Sequence, residues 1–124
     1  MPDITDNQEL MDAFYQEAQA LIDEMRKDVS TLGEARVPTI PHRLFRYAHT
    51  LKTSSGIVAF DDLHEVVQAL TKTFKAAEDE KFSINADAIA LLSDSIEVCQ
   101  KLLNKENVVD YKELLARLNN FPEP

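Results

Sequence analysis

At 124 residues and 44% hydrophobic content, the chain is long enough for one domain with a core of its own and short for two. A formal net charge of −9 without any basic block disfavours contact with nucleic acid or anionic lipid, so a protein or small molecule is the expected partner class. Two glycines, no tryptophan and abundant Ala, Leu, Glu and Lys favour helix over turn-rich β structure, so the expected class is all-α.

In chain order, residues 6 to 32 read as a long amphipathic helix, with Leu10, Phe14, Ala18, Leu21, Met25, Val29 and Leu32 at spacings of three and four. Thr5 or Asp6 suits its cap and Gly33 the position past its end. After a loop with Pro38, a second helix is expected from Pro41 to Val58, with Leu44, Ala48, Leu51, Ser55 and Val58 inward. A third, over 61–79, carries Leu63, Val66, Val67, Leu70, Phe74 and Ala77 inward. Asn85 suits the cap of a fourth, over 85–104, with Ile89, Leu92, Ile96, Cys99 and Leu103 on one face. A short fifth, over 108–119, carries Leu114, Leu115 and Leu118 before FPEP. Short loops make successive helices antiparallel neighbours, so the expected architecture is a single domain, 1–124: an up-and-down four-helix bundle of the last four helices, with the N-terminal helix as the additional one.

The N-terminus, MPDITDNQEL, has neither the basic nor the apolar region of a leader, and no apolar run approaches the roughly 18 residues that spanning a bilayer takes. The lone Cys99 cannot form an internal disulfide and falls in a helical pattern, as a packing residue of a reducing compartment would. A soluble cytoplasmic protein without a membrane contact is the expectation.

On the second helix, taking Leu44 as the middle of the buried stripe turns His49 about 140° away, toward solvent. Phe45 and Arg46 lie one turn before it, Lys52 and Thr53 one turn after, and Gly56 two turns after. An exposed neutral imidazole is a competent nucleophile, and a lysine at i+3 can neutralise an anion added to its ring. Alone, such a pair is ordinary helix surface. Gly56, which costs its helix about 1 kcal/mol relative to alanine, admits two readings: room for a docking partner, or the start of unwinding before the turn.

The whole stretch FRYAHTLKTSSGIVAFDDL resembles the signature of histidine phosphotransfer (HPt) domains, in which a helix bears a phosphoaccepting His followed by x-x-Lys. DAFYQEAQALIDEM and LTKTFKAAEDEKFSINADAIALL extend the likeness to the N-terminal phosphoacceptor domain of CheA-type chemotaxis kinases. The resemblance implies phosphorylation of His49 at Nε2, with Lys52 stabilising the charge of the phosphoryl group. It implies partner contacts at Phe45, Thr53, Gly56, Ala59 and Phe60. The family usually has glycine where this chain has Thr53, and often another where it has Ala59. It generally carries a histidine and a glutamate on the third helix at the positions of Gln68 and Thr71, so these two become candidates for a ring hydrogen bond without the charge of a carboxylate.

The expected function is phosphotransfer in two-component signalling, from a histidine kinase catalytic domain to His49 and on to an aspartate of a response-regulator receiver domain. The domain itself would be a monomeric carrier without turnover, free-standing or the first part of a CheA-type kinase, and would bind no cofactor; ATP and Mg²⁺ would sit on the partners. A phosphate-free adaptor bundle is the alternative, favoured by the missing carboxylate. A carboxylate-bridged metal site would need paired Glu and Glu-x-x-His motifs, to which Asp61-x-x-His64 is the one near match, so no metal is expected. His42, His64, Lys72 and Lys75 are expected on solvated surfaces.

Overall fold

The structure, a computed structural model, describes residues 4–33, 39–106 and 111–121, with side chains from Gln8 onward. Five helices are present: α1 (Ile4–Thr31), α2 (Thr39–Ile57), α3 (Asp61–Glu78), α4 (Ala86–Leu103) and α5 (Tyr111–Asn119). No strand occurs among the described residues. The side chains of Thr5 and Asp6, the loop around Pro38, the expected helix start at Val108 and the last three residues lie outside the described residues.

Each helix is placed by its apolar stripe. Phe14, Ala18, Ile22, Met25 and Val29 of α1, with Leu32 just past its end, are buried against Leu44, Ala48 and Leu51 of α2 and Leu92, Ile96 and Cys99 of α4 in one continuous core. The α1 stripe runs through Ile22 rather than Leu21, which is only partly buried, and Leu10, 51% exposed, lies outside it. From α3, Leu63, Val66, Val67, Leu70 and Phe74 complete the interior. Burial pushes the Cys99 thiol up to about 12, which keeps it protonated and inert.

The four long helices α1 to α4 form the ring of the bundle: α1 packs against α2 and α4, and α3 against α2 and α4. The additional helix is therefore the last rather than the first. The physical reason is stripe length, since α1 buries a five-residue apolar stripe while α5 is nine residues long, buries Leu114 and Leu118, and lies against α3 and α4. Alternation of direction holds around the ring, with α1–α2 contacts at Asp28–Arg43 and Glu17–Ser54 and α1–α4 contacts at Gln19–Gln100 and Arg26–Glu97.

With glycine scarce, helices end without it. Ala59 follows α2 at φ 58°, with Phe60 N–H donating to Ser55 O at 2.9 Å and Ala59 N–H to Gly56 O at 3.1 Å. Glu80 after α3 (φ 57°) and Lys105 after α4 (φ 61°) repeat both bonds. These are Schellman ends, and their left-handed residue costs about 1 kcal/mol more than glycine would. Gly33, by contrast, has no positive φ; it lets α1 approach α4, where an added Cβ would lie 3.0 Å from Ile89 Cδ1. Asn85 caps α4, its side chain accepting from Ala88 N–H at 2.9 Å.

Candidate functional site

α2 carries Arg43, Arg46 and Lys52 and no acidic residue. In a chain of net charge −9 it is the most cationic of the five helices. Leu44, Ala48, Leu51 and Ser55 face the core, which leaves His49 exposed on the opposite side with Lys52, partly buried, one turn on. The neighbour of the His49 ring is the Phe45 ring one turn back, centroids 5.8 Å apart and planes inclined by 41°. Thr53 turns its hydroxyl onto its own helix and donates to His49 O at 3.1 Å.

α2 and α3 are an antiparallel pair hinged at Phe60, and three cross-helix contacts fix their register. His42 Nδ1 lies 3.2 Å from Glu78 Oε2. Lys75 Nζ lies 5.5 Å from the Phe45 centroid. A Cβ added at Gly56 would lie 3.2 Å from His64 Cε1. The members of each pair are equally far from Phe60 in sequence, and the same register sets Thr71 opposite His49. Thr71 is buried and its hydroxyl donates to Val67 O at 2.8 Å, while Gln68 is partly buried one turn earlier. Among the described residues, no hydrogen bond joins either side chain to the His49 ring.

His64 is not a solvated side chain. Its Nδ1 sits 2.9 Å from Lys52 O and 3.4 Å from Ser55 Oγ. A carbonyl only accepts, so this ring is the Nδ1–H donor. Gly56 thus has a third reason beside the two read from sequence: it makes room for a ring from α3. The clue was the pairing of a glycine four residues before the turn with a histidine four after it. Lys75 also differs from a free surface lysine, lying on Phe45 while pairing with Glu78 at 3.6 Å and Asp79 at 3.5 Å.

Ala59 and Phe60 lie apart from His49, at the turn end of the bundle. Phe60 packs on Phe14 and Tyr15 of α1, with centroids 5.9 and 6.5 Å away. Both line a groove of about 370 Å³ with Met11, Tyr15, Val58 and Leu102. The exposed apolar residue on the His49 side of that end is Ile57, 71% exposed and two turns from His49; it lies within the expected second helix but outside its inward stripe, and sequence reasoning did not single it out. Among the described residues, no cluster of three or more His, Cys, Asp or Glu is placed to hold a metal, and no helix is long and apolar enough to cross a membrane.

An exposed histidine and an i+3 lysine thus share one helix of an antiparallel bundle. The Hpt domain model matches residues 9–120, and the chain belongs to the Hpt domain family. It is 32% identical over 94% of its length to the chemotaxis protein CheA of Borreliella burgdorferi, of which it spans 14%. It is 25% identical over 93% of its length to CheA of Treponema pallidum, spanning 15% of that protein. Among solved structures, the phosphorylated P1 domain of CheA3 from R. sphaeroides, crystallised in complex with CheY6, superposes with a TM-score of 0.77 over 90% of this chain and 94% of that one, at 13% identity; that likeness is one of fold.

Proposed function

We propose that this chain is a chemotaxis-type phosphocarrier that accepts phosphate on His49 from a histidine kinase catalytic domain and passes it to an aspartate of a response-regulator receiver. The carrying observation is the exposed His49 imidazole beside Lys52 on the acid-free α2 of an Hpt-family chain. In the first step Nε2 attacks the γ-phosphorus of ATP held by the kinase, the N–P bond forms and the bond to ADP breaks. In the second, the receiver carboxylate attacks the same phosphorus and the imidazole leaves with its electron pair. Lys52 offsets the phosphoryl charge between the two steps. Gln68 and Thr71 are the candidates for a ring acceptor, and Phe45 and Thr53 lie one turn either side of the histidine, with Gly56, Ala59 and Phe60 farther along the docking area. The CheA relatives support a kinase as donor, and the CheA3 complex with CheY6 supports a receiver as acceptor.

On this reading the domain acts as substrate and carrier without turnover of its own. It works as a cytoplasmic monomer and leaves ATP and Mg²⁺ to its partners. The Thr71 hydroxyl, committed to Val67 O in place of a carboxylate aimed at the ring, favours one second reading, a phosphate-free adaptor. Incubation with ATP, Mg²⁺ and a CheA-type kinase core, followed by intact mass and acid lability, separates the two. An acid-labile phosphate on wild type and none on His49→Gln is the expected result. A folded wild type left unlabelled by several kinase cores would make the adaptor the better reading.

A further inference from the structure

We propose that Phe45, itself held by Lys75, is the positioning residue of the His49 imidazole. The inference rests on the carrier reading and deepens it. An exposed histidine ring samples several rotamers, and transfer needs the one that aims Nε2 at phosphorus. Elsewhere a hydrogen-bonded acceptor fixes such a ring. Here the opposite position on α3 is Thr71, whose hydroxyl is given to Val67 O. What touches the ring is Phe45, at 5.8 Å between centroids and 41° between planes, a geometry in which aromatic pairs attract.

Phe45 is restrained in its turn. The Lys75 ammonium lies 5.5 Å from its centroid, within cation–π range, and is kept there by Glu78 at 3.6 Å and Asp79 at 3.5 Å. Glu78 also meets His42 of α2 at 3.2 Å. The acceptor ring is thus oriented from α3 through a phenylalanine and a lysine. Phe45 acts through His49 without touching phosphorus, and its contribution should appear in the turnover of the bound complex rather than in its formation.

The test is made on the whole chain carrying ¹³C,¹⁵N-labelled histidine, with ring relaxation of His49 measured beside phosphorylation by a CheA-type kinase core. Phe45→Leu should loosen the His49 ring and lower kcat about 3- to 10-fold with KM within about twofold. Phe45→Tyr should keep both near wild type. Lys75→Gln, a surface change, should lower kcat about twofold. An unchanged His49 ring in Phe45→Leu would overturn the proposal. So would a raised KM at constant kcat, which would make Phe45 a partner contact, or a Tyr variant as impaired as the Leu variant. A folded wild type that several kinase cores leave unlabelled would sink the carrier reading and the proposal with it, whereas a labelled wild type whose ring stays as ordered in Phe45→Leu would sink the positioning role alone.

Discussion

α2 is held on its two sides by different chemistry. Toward α1, Arg43 donates twice to the buried Asp28, at 2.8 and 3.0 Å, and Ser54 donates to Glu17. Toward α3, the contacts beside the His42–Glu78 pair are two rings, Phe45 under Lys75 and His64 against Lys52 O and Gly56. The α1 side holds a carboxylate 5% exposed, whose bonds hold the helix in place. The α3 side works on the residues that flank His49. The frame and the aim of the acceptor helix are therefore separable by mutation.

The largest effect is expected where the comparison is broken on the frame side. Asp28→Ala removes two charge-assisted bonds from a buried position and should cost about 1–3 kcal/mol. The thermal midpoint should fall by several degrees while His49 phosphorylation, measured where the variant is folded, stays at the wild-type rate. A rate that fell with the midpoint would show that frame and aim are one.

On the other side, Thr71→Glu puts a carboxylate opposite His49 in the α2–α3 register. A carboxylate accepting the ring N–H fixes the tautomer and strengthens the other nitrogen as nucleophile. Phosphorylation by a CheA-type core should rise roughly tenfold, equal to about 1.4 kcal/mol of barrier, at some cost in stability for a buried charge. No gain in rate from a folded variant would count against a missing carboxylate as the brake.

The core was legible because period-3.6 stripes report burial directly: all six α3 residues read as inward, Leu63 to Ala77, are buried. Which four helices close the ring was not, since antiparallel neighbours joined by short loops fit either set, and only the packing of α1 between α2 and α4 decides. The outward placement of His49 was legible from helix period, and the role proposed for it and Lys52 comes from a resemblance spanning most of the chain. His64 and Lys75 were not, because each acts across the α2–α3 seam, and helix spacing describes neighbours on one helix only.

Helix ends were hidden too, since the glycine signal at C′ is absent at all three Schellman ends. This gives a sharper comparison between the site turn and the others. Ala59→Gly relieves a left-handed alanine and should stabilise by about 1 kcal/mol, less the entropy glycine adds to the unfolded chain. Denaturant midpoints of Ala59→Gly, Glu80→Gly and Lys105→Gly should all rise. A fall at Ala59 alone would mean that its methyl group holds the groove beside Phe60.

The smallest net change is expected at Gly56, and there the two opposing terms are both visible. Alanine within a helix is worth about 1 kcal/mol over glycine. Against that, the new Cβ would stand 3.2 Å from His64 Cε1 and 3.4 Å from its Nδ1, so the ring must move and its bond to Lys52 O, about 1 kcal/mol, weakens. Gly56→Ala should therefore leave stability within about 0.5 kcal/mol of wild type while the His64 Nδ1 resonance shifts. Adding Gly56→Ala to His64→Ala, where no ring is left to displace, should return the full helix gain. Additive effects of the two changes would show that glycine is kept at 56 for something other than the α3 ring, with partner docking on the His49 face the remaining reading.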